Sequence, residues 1–381
     1  MKKLLLVGIF IAFIFPITVY AEELIPNATS GLLMEESTGK IIFEKEKDKK
    51  VPVASMTKMV AQIIILENIE AGKIKWDDVI EVSRNASEMG GSQIYLEPGE
   101  KMTVKDLFKG ISMASANDAT VQMAEVIGGS EKGFVKLMNK KVAELGLKNT
   151  HFENCTGLDQ DGHYSSAYDM GMIARELLSH EEILNFSSVY EDYLRQNTEN
   201  KFWLVNTNKL VRFYEGADGL KTGHTDAAKY CLAATAKKND MRLIAIVLGE
   251  EVSKVRNAET ISLLDYGFNT VKVQKLKKKG EKIEDISIEK GSTNKITLVP
   301  EHDISILQDK GTKDKKYVLE TKVDKIKLPI KKGEALGTIT VKEKGKTVIV
   351  ENLVSKNSVN KLNYFELVLN TLKKAVTGDI N

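Results

Sequence analysis

The sequence predicts an α+β layered domain, followed by a small all-β domain and a C-terminal amphipathic helix. Helical patterns of apolar residues cluster between positions 55 and 178, and strand-like runs lie on both sides of this cluster. After position 270 the pattern changes to short apolar runs separated by lysine-rich turns and glycines. Helices grouped between hairpin strands are typical of an α+β domain, and the change near position 270 indicates a second domain.

The first 21 residues have the pattern of a secretory signal peptide. Lys2-Lys3 supplies the positive start, positions 4–17 are mainly apolar, and Val19-Tyr20-Ala21 offers a small-residue cleavage site. An uncleaved membrane anchor is the alternative, but the apolar run is short for a spanning helix and contains Pro16. We therefore expect an exported protein whose mature chain begins near position 22.

The elements of the predicted first domain, positions 22–272, follow from local patterns. A hairpin is expected over 31–45 around the turn Ser37-Thr38-Gly39, and two strands are expected on either side of Asn239-Asp240. From Ser55 to Glu67 the chain is apolar on nearly every side, which predicts a buried helix. Further helices are expected over 104–113, 119–127, 134–145, 167–178 and 254–266.

The remaining chain divides into a β-rich domain, positions 273–360, and a terminal helix, positions 361–381. Strands are expected at 296–299, 317–319, 338–341 and 348–350. In the terminal segment one apolar stripe recurs at helical spacing, formed by Phe365, Val368, Leu369, Leu372 and Val376. A helix that lies on a membrane surface has this pattern, and so does a helix docked on its own domain.

Composition excludes some classes of function. The formal net charge of +2 includes Lys2 and Lys3, so the chain after position 21 has 53 basic and 53 acidic residues and no basic excess for nucleic acid. The five His and two Cys have no standard metal-ligand spacing. Export would permit a disulfide between Cys155 and Cys231, but two free, partly buried thiols are the favoured interpretation.

Three short motifs follow one another in a fixed order: Ser55-Met56-Thr57-Lys58, Ser115-Ala116-Asn117 and Lys221-Thr222-Gly223. Ser55 is expected to open the apolar helix, with Lys58 one turn away on the same face. A serine hydroxyl needs an adjacent base, and a lysine serves as that base when burial or a neighbouring cation lowers its pKa. We therefore predict Ser55 as nucleophile and Lys58 as general base, with Lys221 as the neighbouring cation.

The second and third motifs add further candidate residues. Ser115 is expected to relay a proton to a leaving amine, and the Asn117 amide to hold a substrate peptide; capping of the next helix by Asn117 or Asp118 is the structural alternative. Lys221 and Thr222 are expected to bind a substrate carboxylate, beside a close backbone approach at Gly223. The backbone N–H groups of Ser55 and His224 are the predicted oxyanion hole.

These residues resemble the serine-type D-alanyl-D-alanine carboxypeptidases, which are low-molecular-mass penicillin-binding proteins. The resemblance spans about positions 25–360 and includes the segments 52–58 (PVASMTK), 157–159 (GLD), 165–170 (SSAYDM) and 218–225 (DGLKTGHT). Ala116 replaces a glycine that is frequent in the family. Asn206-Thr207-Asn208 stands where the family often carries arginine, which leaves carboxylate binding to Lys221 and Thr222.

The resemblance implies a transpeptidase fold of the penicillin-binding-protein and β-lactamase type, and hydrolysis of stem peptides that end in D-Ala-D-Ala during peptidoglycan maturation. It implies an acyl-enzyme on Ser55, covalent inhibition by β-lactams, no cofactor and no metal. It also implies that the β domain is a spacer and that segment 361–381 lies on the extracytoplasmic face of the membrane.

Rival interpretations remain open from the sequence. A β-lactamase or a D,D-endopeptidase on the same fold is one, with Asp169 as a possible deacylating carboxylate, although helix capping or loop bracing explains Asp169 as well. A zinc peptidase built on His163 and Asp169 is a second, but no further His completes a site. A catalytically silent wall-binding protein is the third, and the intact Ser55, Lys58 and Lys221 argue against it.

Overall fold

The computed structural model describes residues 24–368. The predicted signal peptide, and the predicted terminal helix beyond Val368, lie outside the described residues. The helices of the first domain are α1 (Lys58–Glu70), α2 (Arg84–Ser87), α3 (Val104–Lys109), α4 (Asn117–Gly128), α5 (Glu131–Glu144), α6 (Ala167–Ser179), α7 (Leu184–Ser187), α8 (Leu210–Phe213) and α9 (Ser253–Thr270).

The first domain also contains nine described strands: β1 (Ser30–Glu35), β2 (Ile41–Lys45), β3 (Val79–Glu81), β4 (Lys101–Thr103), β5 (Glu191–Leu194), β6 (Phe202–Val205), β7 (Ala217–Thr225), β8 (Lys229–Lys238) and β9 (Met241–Glu250). Five of them form an antiparallel sheet in the order β2-β1-β9-β8-β7. Two further antiparallel sheets have two strands each: β3 pairs with β4, and β5 pairs with β6. This order leaves β7, with its Lys-Thr-Gly motif, at one edge of the main sheet.

Strand β9 is apolar without interruption from Leu243 to Leu248. Its side chains alternate between two cores, because successive residues of a strand point to opposite faces. Ile244, Ile246 and Leu248 pack into a core with α1, α4 and α6, whereas Leu243, Ala245 and Val247 pack into a core with α9. Both faces of the sheet are therefore covered by helices, which confirms the predicted α+β layers.

Helix α1 is the central helix of the larger core. All residues from Lys58 to Leu66 are buried, as the all-round apolar pattern predicts. The prediction that Ser55 opens this helix is wrong in detail, because residues Ala54–Thr57 form a separate 3₁₀ turn that leads directly into α1. The other predicted helices are confirmed to within a few residues at their ends, except that α3 stops at Lys109 and continues as a π-helical turn, Gly110–Ala114.

The second domain is all β, as predicted. Its strands are β10 (Val271–Lys277), β11 (Glu284–Ser287), β12 (Lys295–Pro300), β13 (Ile304–Asp309), β14 (Val318–Val323), β15 (Ala335–Glu343) and β16 (Lys346–Ser355). They form a five-stranded sheet, β11-β12-β16-β15-β14, and a two-stranded sheet, β10-β13. A third apolar core, which includes Leu298, Ile339 and Leu353, lies within this domain.

Only the first turn of the predicted terminal helix is described. Residues 364–368 are helical, and Asn363 caps them by accepting a 2.9 Å hydrogen bond from the Glu366 N–H. Tyr364 and Phe365 are exposed. Across positions 24–368 no helix combines the length and the apolar character that a membrane crossing requires.

Candidate active site

The first motif brings a serine hydroxyl and a lysine amine into direct contact. The 3₁₀ turn positions Ser55, and Lys58 begins α1 immediately after it. The Lys58 Nζ donates a 2.8 Å hydrogen bond to the Ser55 Oγ and a 2.6 Å hydrogen bond to the Thr156 carbonyl. Lys58 is fully buried, so its amine has a fixed position beside the hydroxyl.

Burial also changes the chemistry of Lys58. It lowers the pKa of the amine to about 7, and the nearby Cys155 and Asp118 side chains offset only part of this effect. At neutral pH a large fraction of Lys58 is therefore uncharged and has a free lone pair. In that form the same 2.8 Å contact carries the hydrogen bond in reverse, from the Ser55 hydroxyl to the amine.

The turn that supplies the Thr156 carbonyl was not predicted as part of the site. The Asn154 Oδ1 accepts hydrogen bonds from the backbone N–H groups of Thr156 and Gly157, at 3.2 and 2.7 Å. Gly157 has a φ of +85°, and a Cβ at this position would lie 2.0 Å from the Ala54 carbonyl oxygen. The sequence did contain a pattern that could have predicted this turn: an asparagine three residues before a glycine, whose side chain accepts hydrogen bonds from the backbone that follows it.

The second motif lies at a break between two helical segments. The π-helical turn ends at Ser115, which has left-handed backbone angles (φ 62°), and α4 begins at Asn117. The N-cap position is Ala116, with no side-chain cap, so neither Asn117 nor Asp118 is the N-cap residue; the Asp118 Oδ1 nevertheless accepts a 2.8 Å hydrogen bond from the Ala119 N–H in the first turn of α4. Asp118 also accepts hydrogen bonds from the N–H groups of Ile94 and Leu96, and so braces the preceding loop.

Asn117 is held in place from one side only. Its Nδ2 donates a 2.7 Å hydrogen bond to the Gly90 carbonyl, and its backbone N–H donates to the Ser92 carbonyl. Its Oδ1 is buried and has no hydrogen-bond partner among the described residues. A buried amide oxygen without a donor is unfavourable, so this atom is suited to accept an N–H from a bound peptide.

The third motif lies along the edge strand β7. A Cβ at Gly223 would lie 2.6 Å from the Val53 carbonyl oxygen and 3.2 Å from the Ala54 Cβ. The missing side chain therefore lets β7 pack against the turn that carries Ser55; the predicted close approach of substrate at Gly223 stays a separate prediction. His224 is exposed, and its ring lies 4.1 Å from the ring of Tyr230 on β8.

Lys221 is not a surface cation. It is 1% exposed, and its Nζ donates a 2.9 Å hydrogen bond to the Thr222 carbonyl. Burial lowers the pKa of Lys221 well below its usual range, and the charges of Lys58 and Arg256 lower it further. The electrostatic effect runs from Lys58 to Lys221. The predicted lowering of the Lys58 pKa by Lys221 is not found, because burial is what lowers that pKa.

Thr222 connects the third motif to the second. Its hydroxyl donates a 2.8 Å hydrogen bond to the Thr207 hydroxyl, and the Thr207 N–H donates to the Met113 carbonyl, two residues before Ser115. Thr207 belongs to the segment in which an arginine was noted as missing. Thr207 was not predicted as part of the site, because a single threonine in a polar segment gives no signal for such a role.

The asparagines on either side of Thr207 hold this segment against the sheet. The Asn206 Nδ2 donates to the carbonyls of Ser187 and Val189, and the Asn208 Nδ2 donates a 2.9 Å hydrogen bond to the Gly219 carbonyl of β7. Both asparagines are 1% exposed. Their amides therefore serve as internal braces for the strand that carries Lys221.

The residues of the rival interpretations have other partners. The His163 Nδ1 accepts from the Glu153 N–H, so its Nε2 carries the proton of the neutral ring and donates a 2.8 Å hydrogen bond to the Thr57 hydroxyl. Burial lowers the pKa of His163 to about 4. Asp169 accepts from the Asn149 N–H and the Thr150 hydroxyl, each at 2.8 Å, which is loop bracing.

The two cysteines are both free and buried, in agreement with the favoured prediction. The Cys155 thiol contacts Glu131, and the Cys231 thiol contacts the Ala228 carbonyl. Burial raises the pKa of both thiols, so neither is an activated nucleophile.

Comparison with known proteins identifies the family. A family model described as "D-alanyl-D-alanine carboxypeptidase" matches residues 18–252. The chain belongs to the D-alanyl-D-alanine carboxypeptidase family. A second model, described as "Penicillin-binding protein 5, C-terminal domain", matches residues 272–361. The family resemblance inferred from the three motifs is confirmed.

Two curated D-alanyl-D-alanine carboxypeptidases show how far the likeness extends. This carboxypeptidase family member is 47% identical over 351 residues to DacF of Bacillus subtilis, a match that covers 92% of this chain and 90% of the relative. It is 35% identical over 357 residues to DacA of Escherichia coli, with 91% and 87% of the two chains covered. At these coverages each match includes most of both predicted folded domains.

Solved structures of the family confirm the predicted fold. Penicillin-binding protein 5 of Haemophilus influenzae has a TM-score of 0.69 and 31% identity, and the match covers 88% of this carboxypeptidase family member and 98% of that chain. Penicillin-binding protein D2 of Listeria monocytogenes, in its ampicillin-bound form, has a TM-score of 0.58 and 30% identity, with 64% and 98% covered. The family member described here is therefore related to penicillin-binding proteins.

Proposed function

We propose that this chain is a serine-type carboxypeptidase that removes the terminal D-alanine from peptidoglycan stem peptides ending in D-Ala-D-Ala. The observation that carries the proposal is the 2.8 Å contact between the Lys58 Nζ and the Ser55 Oγ, made by a fully buried lysine whose pKa is lowered to about 7. This pair supplies a nucleophile with its own base. Membership of the D-alanyl-D-alanine carboxypeptidase family supports the choice of substrate.

Acylation begins with neutral Lys58. Its lone pair takes the proton of the Ser55 hydroxyl while the Oγ bonds to the carbonyl carbon of the penultimate D-alanine. The carbonyl oxygen becomes an oxyanion, and the backbone N–H groups of Ser55 and His224 are the proposed donors that stabilise it. Collapse of this intermediate breaks the C–N bond and leaves an ester on Ser55.

The leaving amine needs a proton as the C–N bond breaks. Protonated Lys58 holds the proton that came from Ser55, and we assign the Ser115 hydroxyl as the relay from Lys58 to the amine of the departing D-alanine. Deacylation repeats the scheme with water: Lys58 accepts a water proton, the hydroxide oxygen bonds to the ester carbon, and the Ser55 oxygen leaves and is reprotonated. The two half-reactions together consume one peptide and one water and release the shortened peptide and D-alanine.

Substrate binding is assigned to the edge strand and to the second motif. The orphaned Oδ1 of Asn117 is the proposed acceptor for a substrate N–H, and the backbone of β7 at Gly223 is the proposed partner of an extended peptide. Thr222 is the proposed hydroxyl donor to the terminal carboxylate; its O–H would then turn from the Thr207 hydroxyl to the substrate, and the Thr207 O–H would donate to the Thr222 oxygen. Lys221 is buried and its pKa is lowered well below the usual range, so its proposed role is to hold the edge of β7 through the hydrogen bond from its Nζ to the Thr222 carbonyl.

The rival activities on this fold make different predictions about the acyl-enzyme. A β-lactamase needs a residue that speeds hydrolysis of the penicilloyl ester, and Asp169 is 1% exposed and already bonded to Asn149 and Thr150. We therefore expect penicillin to form a long-lived adduct. An endopeptidase would cleave cross-linked peptides at the same serine, so both peptide types belong in the assay.

The decisive experiment combines labelling and turnover. Mass spectrometry of the mature protein after penicillin treatment should show one adduct, on Ser55, and a D-Ala-D-Ala peptide should release free D-alanine. Ser55→Ala should abolish both signals, and Lys58→Ala should block acylation while the protein stays folded. Persistent D-alanine release by Ser55→Ala would overturn the assignment, and an unlabelled but folded wild type would favour a silent wall-binding protein.

The cellular location is a separate part of the proposal. We assign positions 1–21 to a cleaved signal peptide, 22–272 to the catalytic domain, 273–360 to a β-rich spacer and 361–381 to a membrane-associating helix. The exported enzyme would then act at the extracytoplasmic face of the membrane. Deletion of residues 361–381 should release the mature protein from membranes and leave its activity on a soluble peptide unchanged; unchanged membrane fractionation would contradict the anchor.

A further inference from the structure

A second cluster of chemically reactive side chains lies between the C-terminal ends of two helices. Glu67 lies in the last turn of α1, Glu176 in the last turn of α6, and His180 directly after α6. A ring nitrogen of His180 and a carboxylate oxygen from each glutamate all lie within 4.8 Å of one another. Glu176 and His180 are four residues apart, the spacing that aligns side chains on one side of a helix end.

His180 is the residue that indicates a ligand. The imidazole is 8% exposed, and its Nδ1 lies 2.7 Å from the Glu70 Oε1. Its Nε2 is buried and has no hydrogen-bond partner among the described residues. A buried ring nitrogen without a partner is costly, and the Glu70 contact assigns the N–H to Nδ1, which leaves a lone pair on Nε2.

A carboxylate on the far nitrogen is also the arrangement found behind metal-ligating histidines. Such a histidine almost always donates its other N–H to a carboxylate or carbonyl, which orients the ring and raises the basicity of the ligating nitrogen. Glu70 provides this contact from α1, the same helix that carries Glu67. One helix thus supplies both a candidate ligand and the group that orients the histidine.

The local charges favour a cation. Helices α1 and α6 both end here, and the partial negative charge of a helix C-terminus adds to the charges of the glutamates. Lys141 is the cation that now pairs with Glu67: its Nζ lies 2.6 Å from the Glu67 Oε1 and 3.1 Å from a Glu144 oxygen. Because Glu144 also holds this ammonium, Lys141 keeps a partner when Glu67 turns toward a metal ion.

We propose that His180, Glu67 and Glu176 form a site for one divalent transition-metal ion, with Zn²⁺ as the ion of best fit. Imidazole together with carboxylate selects zinc-like ions over Mg²⁺ and Ca²⁺, which prefer oxygen ligands alone. Zinc ligands at about 2.0–2.2 Å in a tetrahedron lie about 3.4 Å apart, a spacing that the present separation permits after small side-chain movements. Water takes the fourth position.

The site would link α1 to α6 at a distance from the reaction. Glu67 is nine residues from Lys58, or about 14 Å along the helix axis. The metal therefore takes part in no bond-making step, and its effect is to fix the far end of the helix that carries Lys58. Metal binding to the folded chain alone also raises its apparent stability.

The test is titration of the metal-free mature protein with ZnCl₂, followed by calorimetry and thermal unfolding. Wild type should bind one Zn²⁺ with micromolar or tighter affinity and unfold at a higher temperature in its presence. His180→Asn and Glu176→Gln should lose this binding, and Glu70→Gln should weaken it about 10–100-fold. Wild type without such binding, or His180→Asn that retains it, would overturn the proposal.

A matched control lies in the second domain. His302, Glu301 and Glu351 form a similar but exposed group, in which the His302 Nδ1 lies 3.0 Å from Glu351. His302→Asn should still bind one Zn²⁺ ion tightly. Loss of tight binding in this variant would show that the ion binds at the His302 group in the second domain and would overturn the proposal. If His180→Asn does not fold, Glu176→Gln and Glu70→Gln decide the outcome, since both side chains are partly exposed.

Discussion

The Thr222 hydroxyl donates a 2.8 Å hydrogen bond to the Thr207 hydroxyl, and this pair joins the edge strand to the segment that contacts Met113. We expect Thr207→Val to lower kcat/KM for a D-Ala-D-Ala peptide about 3–10-fold, mainly through KM, because loss of one hydrogen bond of about 1 kcal/mol frees the orientation of Thr222. Steady-state kinetics measure this. Thr207→Ser keeps the hydroxyl and should stay near wild type; an equal loss in both variants would show that the methyl group matters instead.

The pKa of Lys58 predicts the pH dependence of acylation. Burial lowers it to about 7, and only the neutral amine accepts the Ser55 proton. The rate of penicillin acylation should therefore rise with pH through an apparent pKa near 7 and level off above it. Stopped-flow acylation between pH 5 and 9 tests this. A profile that is flat across this range would exclude Lys58 as the titrating base.

The close contact at Gly157 predicts that adding one methyl group there lowers both stability and the acylation rate. In Gly157→Ala the left-handed backbone costs about 1–3 kcal/mol, and the new methyl group would collide with the Ala54 carbonyl and move Ser55. We expect loss of stability in urea unfolding and a fall in acylation rate. The matched control is Gly72→Ala, because Gly72 has φ +68° but open space around it. It should lose stability only, and an acylation defect there would contradict the steric explanation.

Glu250 predicts how stability depends on pH. It is 1% exposed at the end of β9, and burial, together with the neighbouring Glu259, raises the pKa of its carboxyl. A carboxyl whose pKa is raised on folding stabilises the protein fully below its unfolded value near 4.5, and this contribution is lost as pH rises toward the folded value.

Glu250→Gln should therefore unfold at a higher temperature than wild type at pH 8, and the difference should shrink as pH falls toward 5. Thermal unfolding across this range measures it. The exposed neighbour Glu251, changed to Gln, is the control and should show no such trend. A difference that grows at low pH would have the wrong sign and would refute the explanation.

The sequence predicted the elements well wherever burial follows local periodicity. Strand β9 and helix α1 are apolar on all sides because helices cover both faces of the sheet and surround α1, and those patterns are visible without coordinates. The 3₁₀ turn before α1 was missed, because its backbone is set by distant contacts. Gly157 packs closely against the Ala54 carbonyl oxygen, and Gly223 packs closely against the Val53 carbonyl oxygen; both glycines come from distant parts of the chain.

The candidate site was predictable in its motifs but not in its supports. Ser55 and Lys58 are three residues apart, so helix-like geometry alone brings them together. The Thr156 carbonyl and the Thr207 hydroxyl reach the site from 98 and 15 residues away, and no local spacing indicates them. The burial of Lys221 could not be predicted either. The Lys-Thr-Gly sequence does not indicate whether the lysine side chain points into the core or into solvent.

The junction between the domains has no linker: α9 ends at Thr270 and β10 begins at Val271. Val271 and Val273 pack against the core beneath α9, and Lys310 donates a 2.8 Å hydrogen bond to the Phe268 carbonyl. A protease therefore finds no flexible segment here, and the two parts should resist separation by limited digestion. Rotation of the β-rich part would have to break the packing of Val271 and Val273 and the hydrogen bond of Lys310, so we expect the two parts to move as one body.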